Sequence, residues 1–164
     1  MLRGSKCSGH KTNEFMNQPI NINEKFSKFS EHWRPKIVAQ LNGQDFKLAK
    51  IKGEYPFHAH EAEDEMFFCW KGSFTLDVER PQSVRGTDCV NVPKSDSISE
   101  SIGNVEIVSF LVKEGECIVV PKGTRHRPRA EEECHIFLIE PHGVKNNGDA
   151  KVDAVYDAPM GEWI

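Results

Sequence analysis

The chain is expected to fold as an all-β sandwich or barrel with one short helix near its amino terminus. Short apolar runs with strand-like alternation recur through the middle of the sequence. Gly, Pro or charge bounds each run, and helical spacing of apolar residues occurs only once.

Residues 1–20 are polar and patternless, and are expected to form a flexible tail. Next, "INEKFSKFSEHW" sets Ile22, Phe26, Phe29 and Trp33 at spacings of four, three and four, one stripe of an amphipathic helix. Asn21 is placed to cap it, Glu24 stands in capping-box position and Pro35 ends it. The stripe is expected on the outside of the main body. "KIVAQLNGQDFKLAKI" holds two strands joined by Asn42-Gly43, the pair preferred by a two-residue hairpin turn. "MFFCWKGSFTLDVE" adds a strand, a turn at Lys71-Gly72 and the alternation of Phe74, Leu76 and Val78. "VEIVSFLV", "ECIVVP" and "HIFLIEP" supply three more strands. Residues 80–104, rich in Ser, Asp, Pro and Gly, read as a long surface-loop insertion. The stretch from Gly143 is polar until Trp163-Ile164, which is expected to tuck against the barrel.

A chain of 164 residues suits a single domain, expected over 21–164, and can bury roughly 70% of the surface its unfolded form exposes. Apolar residues at 38% and charged residues at 28% describe a globular protein with a polar surface. A formal charge of −4 lacks the basic footprint of a nucleic-acid binder. No apolar run approaches the length of about 20 residues that spans a bilayer, and the amino terminus lacks the apolar middle of a secretory signal. Five cysteines without Cys-x-x-Cys spacing fit reduced thiols in the cytoplasm, the expected location. Cys69 and Cys117 lie within apolar patterns and read as small buried hydrophobes.

The stretch "YPFHAHEAEDEMFF" places His58 and His60 two apart. On a strand such residues share a face, about 6.6 Å apart, close enough for both imidazoles to reach one ion. The pair alone leaves two readings open, a metal site or a strand running into a solvated turn. Glu65 shares a face with Phe67 and Cys69, which are expected to line a cavity floor. Glu61, Glu63 and Asp64 belong to the turn. Phe68 and Trp70 face the other way. Further on, "GECIVVPKGTRHRPRA" carries turn, strand and turn, with His126 just beyond.

Together these stretches read Gly53-x4-His58-x-His60-x4-Glu65-x6-Gly72, then Gly115-x5-Pro121-x-Gly123-x2-His126. The pattern resembles the two sequence motifs of the cupin superfamily. One glycine-to-histidine gap is a residue shorter than usual, and Ala130 stands where an asparagine is usual. The stretches "SEHWRPKIVAQLNGQDFKLAKIKGE" and "HIFLIEPHGVKNNGD" resemble a set of small single-domain cupins, RmlC-like and often labelled mannose-6-phosphate-isomerase-like.

The resemblance implies a jelly-roll β-barrel with its core over about 37–142, and His58, His60, Glu65 and His126 around one divalent ion. A shell of three imidazoles and one carboxylate admits Fe, Mn, Ni, Co or Zn, and on an octahedral ion it leaves two positions free. It further implies a metal-dependent enzyme acting on a small molecule, by oxygen-dependent cleavage or by isomerisation of a sugar or sugar phosphate. The alternative is a non-catalytic ligand-binding or sensing cupin. Thiol dioxygenases match poorly, because they typically lack the carboxylate. A phosphate-bearing substrate would need cations, for which Lys122, Arg125, Arg127 and Arg129 are candidates, Arg127 foremost. A homodimer through the face of Phe68 and Trp70 is expected.

Overall fold

The structure, a computed structural model, describes residues 18–81, 97–102, 105–151, 153–154, 156, 158 and 161–164. Most of the tail expected over 1–20 lies outside the described residues, as do 82–96 and 103–104 of the expected insertion. The elements are helix α1 (Ile22–Phe26) and strands β1 (Lys36–Leu41), β2 (Gln44–Glu54), β3 (Glu65–Lys71), β4 (Ser73–Pro81), β5 (Ser97–Ile102), β6 (Val105–Lys113), β7 (Cys117–Val120) and β8 (His126–Pro141).

The first hairpin forms as its turn dipeptide dictates. Asn42 (φ 51°) and Gly43 (φ 77°) take the two positive φ angles of a type I′ turn, and Leu41 pairs with Gln44 across it. Strand β8 organises the remainder. Along one edge it pairs with β2, from Glu54↔Arg129 to Gln44↔Pro141. Along the other it pairs first with β4, from Val78↔His126 to Thr75↔Arg129, and then with β3, from Lys71↔His135 to Met66↔Ile139. The exposed run Glu131–Glu133 lies where the partner changes. That change folds one antiparallel ladder into two layers, β1–β2–β8–β3–β7 and β8–β4–β6–β5, in a jelly-roll arrangement. Among the described residues the hydrogen-bonded path stays open and does not return on itself.

The core lies between the layers. Inward positions recur every second residue, at Phe67 and Cys69 on β3, Phe74 and Leu76 on β4, and Ile136 and Leu138 on β8. Phe74 and Leu76 are 1% and 0% exposed, and each contributes about 1.5–3 kcal/mol by leaving water. The rings of Phe67 and Phe74 lie 6.0 Å apart across the interior.

Three features differ from the sequence expectation. The helix is only five residues long, although Asn21 caps it as expected through the Glu24 amide at 3.1 Å. Its apolar stripe splits. Phe26 and Phe29 pack outside the sheet with Val38, Leu48 and Trp70, whereas Trp33 turns into the main core. The physical reason is a competing edge: Trp33 N–H donates to Lys50 O at 2.9 Å, with Trp33 at φ 61°, so β-type pairing and indole burial prevail over another helical turn. Second, part of the expected insertion is strand β5, paired with β6 from Ser97↔Phe110 to Ile102↔Val105. Its Ser/Ile alternation has period two, a signal masked by the polar composition. Third, Cys117 is exposed, because short β7 pairs only with β3 and turns much of itself to solvent. No helix among the described residues is long and apolar enough to cross a membrane.

Candidate metal centre

His58 and His60 do not sit on the strand the sequence suggests. Residues 55–64 form an irregular segment with a single bridge, His58 to His126. Both backbone bonds of that bridge are made, His58 N–H to His126 O at 2.9 Å and His126 N–H to His58 O at 2.8 Å. His60 O accepts from Gly123 N–H at 2.7 Å, beside the turn at positive-φ Gly123. Glu65 opens β3 opposite Val120 of β7. Each of the four residues is therefore tied to another segment of the site by main-chain hydrogen bonds before its side chain does anything.

The side chains converge. One ligand atom from each of His58, His60, Glu65 and His126 lies within 4.8 Å of all the others, and all four residues are buried. Glu65 Oε2 is 3.4 Å from His60 Nε2 and 3.3 Å from His126 Nε2, yet none of these atoms has a hydrogen-bond partner among the described residues. Two donors at about 2.1 Å from one ion, in cis or tetrahedral relation, stand about 3.0–3.4 Å apart. Orphaned buried polar atoms at that spacing fit an ion between them. The imidazoles are oriented for it. His58 Nδ1 faces Pro56 O at 3.0 Å and His126 Nδ1 faces Thr124 O at 2.9 Å. A carbonyl can only accept, so in the neutral ring the proton sits on Nδ1 and the Nε2 lone pair is free.

Electrostatics favour the ligand forms of His58 and Glu65, and oppose that of His60. Burial pushes the His58 imidazole down to about 4, helped by neighbouring His126, so the ring is neutral at physiological pH. Burial alone would raise the Glu65 carboxyl, but the imidazoles of His126 and His60 outweigh it and hold the group well below the usual carboxylate range. Burial likewise works to lower His60, and Glu65 reverses this to leave its pKa above the ordinary value. The four residues can hold one metal ion.

A cavity of about 30 Å³ adjoins the cluster, lined by His58, Glu65, Trp33, Tyr55, Phe67 and other apolar side chains, with Asn146. Asn146 comes from the segment after β8, which the sequence reading treats as a polar tail docked by its end. The end does dock: Ile37 N–H donates to Glu162 O at 2.7 Å, and Ile164 N–H to Ile37 O at 3.2 Å. The middle also grips the site. Asp149 Oδ1 accepts from Ala59 N–H at 2.8 Å, and Asp149 N–H donates to Ala59 O at 3.1 Å, which clasps the residue between two candidate ligands. Gly148 permits this approach, since a Cβ there would stand 2.2 Å from Ala59 O at a φ of +49°. Gly148→Ala is therefore expected to lift the strap at a cost of about 1–3 kcal/mol, measurable as a lower Tm and faster tryptic cleavage at Lys145 or Lys151. Unchanged stability and cleavage would show that the clasp contributes nothing.

Of the other residues the sequence singles out, Phe67 lines the cavity. Cys69 is buried on the same face further along β3, its thiol donating to Gly72 O at 3.3 Å and lying 3.7 Å from Cys134 Sγ. Arg127 alternates with His126 on β8 and is engaged elsewhere. Its Nε donates to Asp77 at 2.9 Å, its NH1 reaches Glu54 at 2.9 Å, and it stacks over Phe57. Arg129 Nε also donates to Asp77 at 3.0 Å, and Arg125 pairs with Glu79 and Asp149.

Sequence reasoning missed Lys47, Glu140 and Asn146. Lys47 Nζ donates to Glu140 Oε1 at 2.7 Å, and both residues are buried in inward register on β2 and β8. Burial, with the Glu65 carboxylate acting in the same sense, pushes Glu140 up to about 7 against the pull of Lys47. A signal existed: Lys47 falls two before Ala49, and Glu140 two after Leu138, so each is a charge in an apolar alternation.

No protein-family model matches the chain. A cupin-2 domain-containing protein from Shewanella frigidimarina is similar at 32% identity, over 75% of this chain and 94% of that one, with a TM-score of 0.55. The chain belongs to the cupin family. This cupin also resembles protein NMB1881 from Neisseria meningitidis, 29% identical over 76% and 99% of the two chains, with a TM-score of 0.54. A hydroquinone 1,2-dioxygenase, PnpCD, crystallised with Cd2+ and 4-hydroxybenzonitrile, shares the fold at 18% identity over 73% and 70% of the chains, with a TM-score of 0.51.

Proposed function

We propose that this cupin is a metal-dependent enzyme that cleaves a small oxygen-bearing molecule with dioxygen. The observation that carries this reading is the buried quartet His58, His60, Glu65 and His126 beside a small, mostly apolar cavity. Four protein ligands on an octahedral ion such as Fe(II), Mn(II), Ni(II) or Co(II) would leave two positions for substrate or oxygen. Five-coordinate Zn would leave one. A bound divalent ion would supply Lewis acidity and, for iron or manganese, redox capacity. The chain's own residues do the rest. Pro56 O and Thr124 O fix the ring tautomers, Trp33, Tyr55 and Phe67 exclude water, and Glu65 offsets one unit of the metal's charge.

Isomerisation of a sugar or sugar phosphate draws less support. A sugar's hydroxyls would go unpaired against apolar walls, and Arg125, Arg127 and Arg129 are each committed to carboxylates. The dioxygenase fold neighbour is compatible with cleavage and shows the fold alone. A homodimer through the outer face of β3, where Phe68 and Trp70 are half-buried, belongs to the same proposal. The test is metal content of protein purified without added metal, followed by oxygen uptake of iron-loaded protein with small diols, hydroxy acids and sugar phosphates. The expected result is bound metal and uptake with a diol or hydroxy acid. Metal uptake without oxygen consumption would leave a binding cupin in its place, and a sedimentation mass near 18.6 kDa would remove the dimer.

A further inference from the structure

The stretch that carries the first two candidate ligands is not a strand, and what holds it in shape comes from several places. His58 keeps its two main-chain bonds to His126, and His60 O accepts from Gly123 N–H at 2.7 Å. Ala59 lies between them, and both of its main-chain polar groups go to the strap after β8. Asp149 Oδ1 accepts from Ala59 N–H at 2.8 Å, and Asp149 N–H donates to Ala59 O at 3.1 Å. Ala59 is 5% exposed, so water is poorly placed to replace either bond.

That position matters because peptide planes are rigid. Between the Cα atoms of His58 and His60 the chain turns only about ψ of His58, φ and ψ of Ala59, and φ of His60. The bridge to His126 holds His58, and Gly123 holds the far side of His60. Ala59 then sets the direction of one imidazole relative to the other. The strap also abuts a ligand ring, since a Cβ on Gly148 would stand 3.4 Å from His58 Cδ2, the carbon bonded to Nε2. It is anchored again where the ligand stretch begins, with the Tyr55 hydroxyl donating to Tyr156 O at 3.3 Å and the Tyr156 hydroxyl to Glu54 O at 3.0 Å. Arg125 adds a looser contact. Its Nη1 lies 3.5 Å from Asp149 Oδ2 and its Nη2 donates to Phe57 O at 3.2 Å, but the Arg125 and Asp149 side chains are 44% and 43% exposed. An ion pair so open to water contributes little. The hydrogen bonds to Ala59 are the contact that reaches the ligands.

We infer that Asp149 is a positioning residue for the metal centre, its clasp on Ala59 fixing the mutual orientation of His58 and His60, so that docking of the strap and binding of the ion favour one another. This inference rests on the metal-site reading above and goes beyond it, because Asp149 is outside the quartet and acts through a main chain. By linkage the factor is the same in both directions. A docked strap tightens the ion, and a bound ion holds the strap against Ala59.

The test uses the full chain with Co(II), whose visible absorption reports the arrangement of its ligands. Asp149→Ala removes the acceptor of Ala59 N–H. It is expected to raise the cobalt Kd about 10-fold, the lower end of the effect of losing an outer partner of a ligand, and to shift the cobalt spectrum. Asp149→Asn keeps an oxygen that accepts from Ala59 N–H and gives up only the charge facing Arg125. It is expected to bind cobalt within about 3-fold of wild type, with the wild-type spectrum. In the wild-type chain, cobalt is expected to slow tryptic cleavage at Lys145 and Lys151 by about 10-fold, the same factor read from the other side. Failure of the wild-type chain to take up cobalt sinks this inference together with the metal site. Cobalt uptake by Asp149→Ala with the wild-type Kd and spectrum overturns the Asp149 assignment alone, whatever that variant loses in Tm, and so does Asp149→Asn binding no better than Asp149→Ala. If Asp149→Ala does not fold, the cleavage measurement decides: cobalt bound by the wild-type chain with cleavage unchanged overturns the assignment as well.

Discussion

His126→Ala is expected to lower affinity for a divalent ion by more than about 100-fold, because loss of an outer partner of a ligand already costs about 10–100-fold and this substitution removes a ligand atom itself. The residue is 1% exposed and its Nε2 stands 3.3 Å from Glu65 Oε2, so no nearby surface group can substitute for it. The fold should persist, since the paired hydrogen bonds to His58 belong to the backbone and survive in alanine. Titration calorimetry with Mn(II) or Co(II), beside elemental analysis, gives the readout. His142→Ala is the control, because that ring lies outside the cluster with Nδ1 3.1 Å from Asp45. Tight binding retained in His126→Ala would take this residue out of the site. The pH dependence follows from the same geometry. His58, pushed down to about 4, stays neutral and does not limit binding near neutrality. In the metal-free protein, burial favours neutral His60 but Glu65 outweighs it and raises the ring above its ordinary value. A proton therefore competes with the ion at His60, and affinity should fall as pH drops below neutral.

Lys47→Met is expected to cost about 1.4 kcal/mol more at pH 8 than at pH 4.5, because Glu140, stranded without the ammonium, must stay protonated at a pH above its wild-type value of about 7. Glu140 is 0% exposed and Lys47 3%, and Glu140 Oε2 already lacks a hydrogen-bond partner among the described residues. The sign with pH is definite. Glu140 is raised by burial and by Glu65 to about 7 even with Lys47 present, and losing the ammonium raises it further. A carboxyl with a raised folded-state value contributes its full stability below its unfolded value of 4.5, and loses it as pH rises through the folded value. The gap between Lys47→Met and wild type should therefore be small near pH 4.5 and widest at pH 8. Urea unfolding at the two pH values measures it. A gap independent of pH would mean that lost packing of the lysine stem, and no stranded charge, explains the change.

Much of the architecture was legible because it is written in local spacing. Asn42-Gly43 requires no distant partner to make a hairpin turn, and the alternation of Phe74, Leu76 and Val78 needs only a strand's period. His58, His60, Glu65 and His126 were picked out by resemblance to the two cupin motifs, and the segment holding the first two is not a strand. Where the reading went astray, a tertiary contact competed with a local pattern. Trp33 left its helical stripe for an edge of β2 and a place in the core. Residues 97–102 became a strand because β6 offered an edge. Arg127 sits next to a candidate ligand in sequence, yet Asp77 and Glu54 hold it on another face, since neighbouring residues on a strand point opposite ways.

By itself the amino-acid sequence determined the all-β class and the turn positions, because each depends on residue type and on periods of two or a few residues, whereas the four side chains expected around an ion came from resemblance to the two cupin motifs. Only the tertiary structure decided which charges enter the interior and which segment clasps the site. Lys47 and Glu140 are 93 residues apart, and Asp149 reaches Ala59 across 90. A buried charge is tolerable only where its partner is delivered, and a glycine is indispensable only where another backbone arrives; both conditions are set by the pairing of remote segments.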